Sequence, residues 1–412
     1  MPLRRTDSWL YIIISMNNNR TILILILGLL SAIGPFSIDT YLAGFPIIAA
    51  DFNVSVGVVS YSLASFFIGI SIGQMLYGPL LDRFGRKTPL SIGLIIYVLA
   101  SAGCAVATSI EMLITLRFLQ AMGGCVGMVA SRAIVRDSFP VEESAKIFSL
   151  LILILGVSPM IAPTIGSYMI TAYGWHSVFW LQAGAGLLLF LAVFFVLNES
   201  KKADKMVLLH PTHITKTFWG IFCNPQFFTY AFAGATVSGG AYAYVSGSPF
   251  VFLKIFHVTE LHYGWIFGFI AGGMILSSQL NNLALRKYRS EQVMRVALNV
   301  QTCIGIILCV ASMFDLLSLW SAIMLIFLFL SCQGFSSPNA SALSLAPFSK
   351  EAGSASALMG ALQMGIGSLA AALVGMISNG TSLPMTGVMA GCALLGLTIF
   401  RVGRGFIGKS NA

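Results

Sequence analysis

Apolar stretches of about twenty residues, the length that crosses the hydrocarbon core of a bilayer as a helix, recur along this chain with only short polar connections between them. They occupy residues 21 to 46, 56 to 78, 88 to 108, 112 to 135, 144 to 169 and 177 to 198, then 225 to 250, 263 to 284, 292 to 314, 318 to 340, 353 to 378 and 384 to 404. Hydrophobic residues are 57% of the chain and charged residues 9%, a balance that a water-exposed surface cannot sustain. The pattern predicts an all-α membrane protein of twelve transmembrane helices in two six-helix bundles, 21–198 and 225–404. A cytoplasmic linker, 199–224, joins them, and tails of 1–20 and 405–412 flank them. No stretch is left for a separate soluble domain, so function has to reside between helices.

Charge gives an independent check, because Lys and Arg collect on the cytoplasmic side of a membrane. With both termini inside, every one of the 23 Lys and Arg except Lys254 and Arg117 falls at a cytoplasmic end or loop. Basic clusters return at every second connection: Arg83, Arg86 and Lys87, then Lys201, Lys202 and Lys205, then Arg286, Lys287 and Arg289. The opposite connections carry Asp51, Glu111, Glu260 and Asp315. The first apolar run is too long for the core of a signal peptide and no small-x-small cleavage site follows it. Residues 1–15, ahead of Met16, read as a loose tail or an extended start.

Other classes of function find little support. The net charge of +9 is dispersed over helix ends instead of gathered into a patch, so no nucleic-acid partner is implied. Cysteines such as Cys104, Cys125, Cys303, Cys332 and Cys392 lie inside apolar runs without close pairs and read as small packing residues. No cofactor, metal site or nucleophile with a base is visible at membrane depth, which argues against an enzyme; His257 and His262 sit in an outer connection. A channel calls for repeated polar rings and a sensor for a long soluble segment.

Four local patterns carry chemistry. After the second run comes Gly78-Pro79-Leu80-Leu81-Asp82-Arg83-Phe84-Gly85-Arg86-Lys87. Gly78 permits close helix approach, Gly85 a tight turn, and Asp82 can face a helix N-terminus while Arg86 pairs with an acid, for which Asp137 is the candidate. Such pairs would hold two halves closed on the inside; the plain alternative is a solvated loop that only sets topology. In the fourth run, Arg117-Phe118-Leu119-Gln120 places a guanidinium inside the membrane, facing a hydrated cavity or an acid, or else snorkelling to the outer interface. Asp39 is the one acid of 14 at membrane depth. Paired with Arg117 it is a minimal proton-coupling device; it can also cap a helix interrupted before Gly44 and Pro46. In the fifth run, Gly156-Val157-Ser158-Pro159-Met160-Ile161-Ala162-Pro163-Thr164-Ile165-Gly166 combines prolines that bend a helix with small residues that let it pack tightly.

The loop after the second run closely resembles the signature of the major facilitator superfamily. Arg117 to Gln120 resembles that superfamily's Arg-x-x-Gln-Gly element, with Ala121 in place of the glycine. Ser158, Pro159, Ala162, Pro163 and Gly166 are similar to the glycine-proline motif of its drug:proton antiporters, with Ser158, Ala162 and Ser167 where glycine is preferred. With Ile38-Asp39-Thr40-Tyr41-Leu42 these features resemble the bicyclomycin and chloramphenicol-type branch, most densely from residue 37 to residue 180. The resemblance implies a bacterial inner-membrane protein, a monomer by that analogy, that exports drug-like small molecules against an inward flow of protons. Asp39 and Arg117 would then couple the proton, and Tyr41, Tyr61, Gln120, Tyr242 and Tyr244 would line the cavity. Gly78, Asp82, Arg83, Gly85, Arg86, Lys87 and Asp137 would form the conformational gate. A proton-coupled transporter of a metabolite such as an amino acid or sugar shares most of these features.

Overall fold

The computed structural model describes residues 18–201, 203, 211–348 and 352–410; residues 1–15, Lys202 and Lys205 lie outside them. The first half consists of α1 (Asn18–Asp39), a short α2 (Phe45–Asp51), α3 (Val56–Phe84), α4 (Lys87–Ala105), α5 (Ile110–Ser138), α6 (Val141–Tyr173) and α7 (His176–Val196). Then follow α8 (Pro211–Phe222), α9 (Pro225–Pro249), α10 (Glu260–Ala284), α11 (Ser290–Met313), α12 (Leu319–Leu345), α13 (Ala352–Met376) and α14 (Leu383–Ser410). Among the described residues there is no sheet. In lipid, where no water satisfies the backbone, the helix is the simplest element that closes its own hydrogen bonds.

Helix boundaries are written in the sequence. Ser55, Ser109 and Thr259 accept the backbone N–H of Val58 (3.4 Å), Met112 (3.2 Å) and His262 (3.4 Å), capping the starts of α3, α5 and α10. Gly85 (φ 82°) and Gly174 (φ 80°) end α3 and α6 in a conformation that glycine adopts without strain. The first run takes the interrupted form, one of the two readings of Asp39: it breaks at Asp39, passes through a single tight turn at Leu42–Gly44 and resumes as α2. The linker is not wholly irregular, since it contains α8.

Eleven helical stretches among the described residues are long and apolar enough to cross a membrane, the first running through α1 and α2 from Arg20 to Asp51. The seventh expected run folds as α9 but lacks the apolarity of the others. Its composition explains why: α9 is rich in Gly, Ala, Ser and Tyr and most of it is buried, enclosed by α12, α13 and α14. A helix that faces protein on nearly every side needs small surfaces more than greasy ones.

Two seams join the halves, α3 against α13 and α6 against α10. Along the first, Gly57 and Gly375 lie so close that a side-chain carbon on either would meet the other's backbone oxygen. Further along, Ser368 Oγ donates to the Ala64 carbonyl (2.9 Å) and Ser71 Oγ to the Ala361 carbonyl (2.8 Å). Along the second, Gly264 and Gly268 rest against the backbone of Pro163, Thr164 and Met160. These contacts run from the end of the molecule that carries Asp51 and Glu260 towards its middle. Gly78, near the other end of α3, has open space where a side chain would begin.

Gly166 fixes how α6 meets α1, because a side-chain carbon there would collide with the Thr40 carbonyl. Backbone cannot step aside as a flexible side chain can, so Gly166→Leu is expected to cost about 1–3 kcal/mol. A melting curve of the detergent-solubilised protein checks this; an unchanged midpoint would contradict the close approach.

Candidate functional site

The site is built around Arg117, whose side chain is fully buried two turns into α5. A guanidinium keeps its charge under all ordinary conditions, so burial requires partners for its donors. Nη1 donates to Gln120 Oε1 (2.5 Å) one turn on, and Nη2 to the backbone carbonyl of Ser37 (3.1 Å). Three rings complete the cage: Phe66, Tyr41 and Phe179 lie with their centroids 4.1, 4.3 and 5.7 Å from the guanidinium carbon. Desolvated cation–π contacts of this kind contribute about 2 kcal/mol each.

The Ser37 carbonyl is available because α1 ends there. The last carbonyls of a helix lack intrahelical donors and carry the negative end of its dipole. Within α1, Ser37 Oγ and Thr40 Oγ1 donate back to the Ile33 (2.6 Å) and Phe36 (2.7 Å) carbonyls. The network then closes across helices. Gln120 Nε2 donates to Ser101 Oγ (2.6 Å) and to Gln182 Oε1 (2.7 Å), and Gln182 Nε2 to Thr40 Oγ1 (2.8 Å). Ser37 Oγ and Tyr97 Oη lie 2.6 Å apart, and Tyr41 Oη lies 3.0 Å from Ser62 Oγ.

Asp39 stands apart from this network. It is buried, yet among the described residues its carboxylate has no hydrogen bond or ion pair, and the expected salt bridge with Arg117 does not form. Helix geometry supplies the reason. Ser37 points to α4, and a residue two positions on is turned by about 200°, so Asp39 leaves α1 on the opposite side. There it acts electrostatically on Tyr242, Tyr244 and Tyr263 of the second half. Tyr242 packs against Phe67 of α3 in a tilted pair at 4.6 Å and reaches Met364 Sδ of α13 (3.7 Å), so it bridges the halves. Tyr244 stacks on Phe267 at 5.5 Å, and Tyr263 Oη lies 2.9 Å from Ser248 Oγ.

Two expected cavity residues are placed differently: Tyr41 and Gln120 are buried within the Arg117 network and do not line an open space. Tyr61 lies at the first seam, beside Gly375. A recess of about 210 Å³ is lined by Ser31, Met128, Arg132, Phe148, Leu151 and Leu155 instead. Sequence reasoning passed over Arg132 as one more basic residue near a helix end.

The loop signature is assembled, but within one half. Arg86, only 3% exposed, donates from Nε to Asp137 Oδ2 (2.7 Å) and from Nη1 to Asp82 Oδ1 (3.0 Å). Burial opposes the Arg86 charge, but the two carboxylates hold its guanidinium above its ordinary proton affinity. Lys201 Nζ reaches Asp82 Oδ1 (3.2 Å), and Glu199 accepts the backbone N–H of Arg86 (2.6 Å) and Lys87 (3.2 Å), capping α4. Lys87 Nζ donates to the Phe194 carbonyl (2.8 Å), and Arg83 lies over the Phe84 ring at 5.7 Å. All these partners of Arg86 belong to α3, α5 and the start of the linker, so the expected clamp between halves is here a clasp inside the first. Glu199 was not singled out in the sequence; its one signal was an acid directly after the sixth apolar run.

The proline-bearing helix α6 remains helical through Pro159 and Pro163. Ala162 is fully buried, Ser158 nearly so, and Ser167 Oγ returns a bond to the Pro163 carbonyl (2.7 Å). One side of α6 meets the broken end of α1 at Gly166 and another meets α10.

This arrangement has relatives. Residues 25–372 match the family described as Major Facilitator Superfamily. A bicyclomycin resistance protein homolog of Haemophilus influenzae is 31% identical over 387 residues, covering 93% of this chain and 97% of the relative. The multidrug resistance protein MdtL of Escherichia coli is 29% identical over 369 residues, covering 89% and 91%. Among solved structures, an inward-facing bacterial homolog of the human lysosomal transporter Spinster superposes with a TM-score of 0.71 at 15% identity, covering 95% of this chain and 97% of that one. A D-xylose–proton symporter superposes with a TM-score of 0.70 at 13% identity, covering 93% and 97%. Sequence and fold agree, and the chain belongs to the Major Facilitator Superfamily, whose members are transporters and not enzymes.

Proposed function

We propose that this protein exports drug-like small molecules across the bacterial inner membrane by alternating access, driven by protons that bind Asp39. In this reading α9 is the twelfth span, both termini are cytoplasmic, and bundles 21–198 and 225–404 rock about the two seams as a monomer. The observation that carries it is Asp39 itself, an acid enclosed at membrane depth without a cation, placed at the break in α1 and facing tyrosines of the other half. An ionised group held there without a partner costs at least ~2.5 kcal/mol, so the enclosed state favours the protonated acid. Opening to water on either side releases that constraint and lets the proton exchange.

Arg117 has a different part in this mechanism. It fixes the end of α1 and thereby the position of Asp39, without itself receiving the proton. The clasp of Asp82, Arg86, Asp137, Glu199 and Lys201 keeps the first bundle rigid and moors the linker to it. Two relatives are named for bicyclomycin and multidrug resistance, which supports antibiotics and related compounds as the cargo.

Asp39→Asn removes the titrating group while keeping its size. In proteoliposomes with an imposed pH gradient, the variant is expected to lose gradient-driven accumulation of chloramphenicol yet retain exchange of labelled for unlabelled compound. Accumulation at the wild-type rate would exclude Asp39 as the coupling acid.

Asp82→Lys places a cation beside Arg86 and Lys201. Turnover is expected to fall about tenfold, a barrier change near 1.4 kcal/mol, with chloramphenicol affinity unchanged. A loss of affinity at normal turnover would instead assign Asp82 to the binding site.

A further inference from the structure

The recess described above is lined by α1, α5 and α6, and among the described residues on its wall Arg132 is the one that carries a charge. Arg132 lies six residues short of the end of α5 at Ser138, about 9 Å along the helix axis. It is exposed to the recess, and among the described residues it has no hydrogen bond or ion pair. By contrast, Arg86 is held by two carboxylates, and Arg117 by a carbonyl, an amide and three rings, with only its Nε left without a partner. The neighbour of Arg132, Ser131, donates to the Leu27 (2.9 Å) and Gly127 (2.7 Å) carbonyls and so locks α5 against α1. The guanidinium is therefore presented from a fixed piece of helix. The rest of the wall is Met128, Phe148, Leu151 and Leu155, with Ser31 as a single neutral polar group.

A fixed cation above an apolar surface selects for an amphiphile with an acidic end, since a guanidinium matches a carboxylate through two parallel hydrogen bonds. A lipophilic cation would meet an unscreened like charge in the same space. Resting on the transport reading above, we propose that this recess binds lipophilic carboxylates, with Arg132 holding the acidic group and Met128, Phe148, Leu151 and Leu155 receiving the hydrocarbon body. Arg132 is thus the residue that sets the charge preference of the transporter. Cargo and proton do not contend for one group. Ser31 precedes Asp39 by eight residues, about 12 Å along α1, so the recess and the coupling acid are separate places on the helix.

Fluorescein and rhodamine 123 share a xanthene body and carry opposite charge, so they isolate this preference. Fluorescence anisotropy of each dye with the full chain in detergent reads binding without a gradient and independently of transport direction. The wild type is expected to bind fluorescein at least tenfold more tightly than rhodamine 123. R132Q is expected to abolish that preference and R132K to retain part of it, because lysine keeps the charge without the planar fork. Equal binding of both dyes by the wild type would overturn the proposal, as would full fluorescein affinity in a folded R132Q. The wild-type comparison decides the matter even where a variant fails to fold. Gradient-driven dye movement in proteoliposomes is a separate readout: its absence alongside intact fluorescein preference would refute proton-driven export and leave the carboxylate site standing.

Discussion

A guanidinium that cannot discharge, enclosed at membrane depth, is the constraint from which most of the first half follows. Arg117 needs acceptors, and at that depth the cheapest are the free carbonyls at the end of a helix. So α1 stops at Asp39, with Ser37 offering its carbonyl to Arg117 and Thr40 its hydroxyl to Gln182. Gln120, Gln182, Ser101 and Tyr97 fill the remaining valences, which draws α4, α5 and α7 around the break. The position of Asp39 is a by-product of solvating the arginine. The carboxylate is carried to the far side of α1, where it meets the second half of the molecule instead of its presumed partner.

The second half is met through helices stripped of bulk. Gly57 and Gly375 bring α3 and α13 to backbone contact, and Gly264 and Gly268 do the same for α10 against α6. Helix α6 is the common member, since Gly166 also admits the Thr40 carbonyl. In the proposed cycle, movement along the second seam would therefore act on the backbone that holds Asp39. Coupling between a titrating group and a change of access needs an element with two arrangements that both events can bias, and α6 with the end of α1 has the right connections.

Much of this was legible in sequence, and the failures have physical reasons. Hydropathy placed the long helices to within a few residues because length and apolarity are what lipid demands. The Arg86–Asp137 contact was readable from charge and spacing, whereas Asp82 was expected at a helix N-terminus, a place that Glu199 takes while Asp82 accepts from Arg86 and Lys201. That these contacts stay within one half was not readable, because sequence shows which charges are complementary but not which conformation joins them. The Asp39–Arg117 pair was inferred from two isolated opposite charges; a backbone carbonyl and aromatic faces compete for an arginine and leave no trace as charges. Tyr41 and Gln120 were assigned to a cavity by type alone, whereas one stacks over Arg117 and the other accepts from it. Arg132 was hidden by its proximity to Arg136 and Asp137, which made it look like an inner anchor.

The composition of α9 bears on how the protein is made. Its glycines, serines and tyrosines suit a helix enclosed by α12, α13 and α14, yet those three neighbours are synthesised after it. A segment this polar gains little from entering lipid alone. If α9 is the twelfth span, it would be poised to linger at the translocon or the headgroup layer until its later partners emerge, and the second half would be assembled as a group and not helix by helix. Faults in α12 to α14 would then surface as a topological defect far upstream of the altered residue.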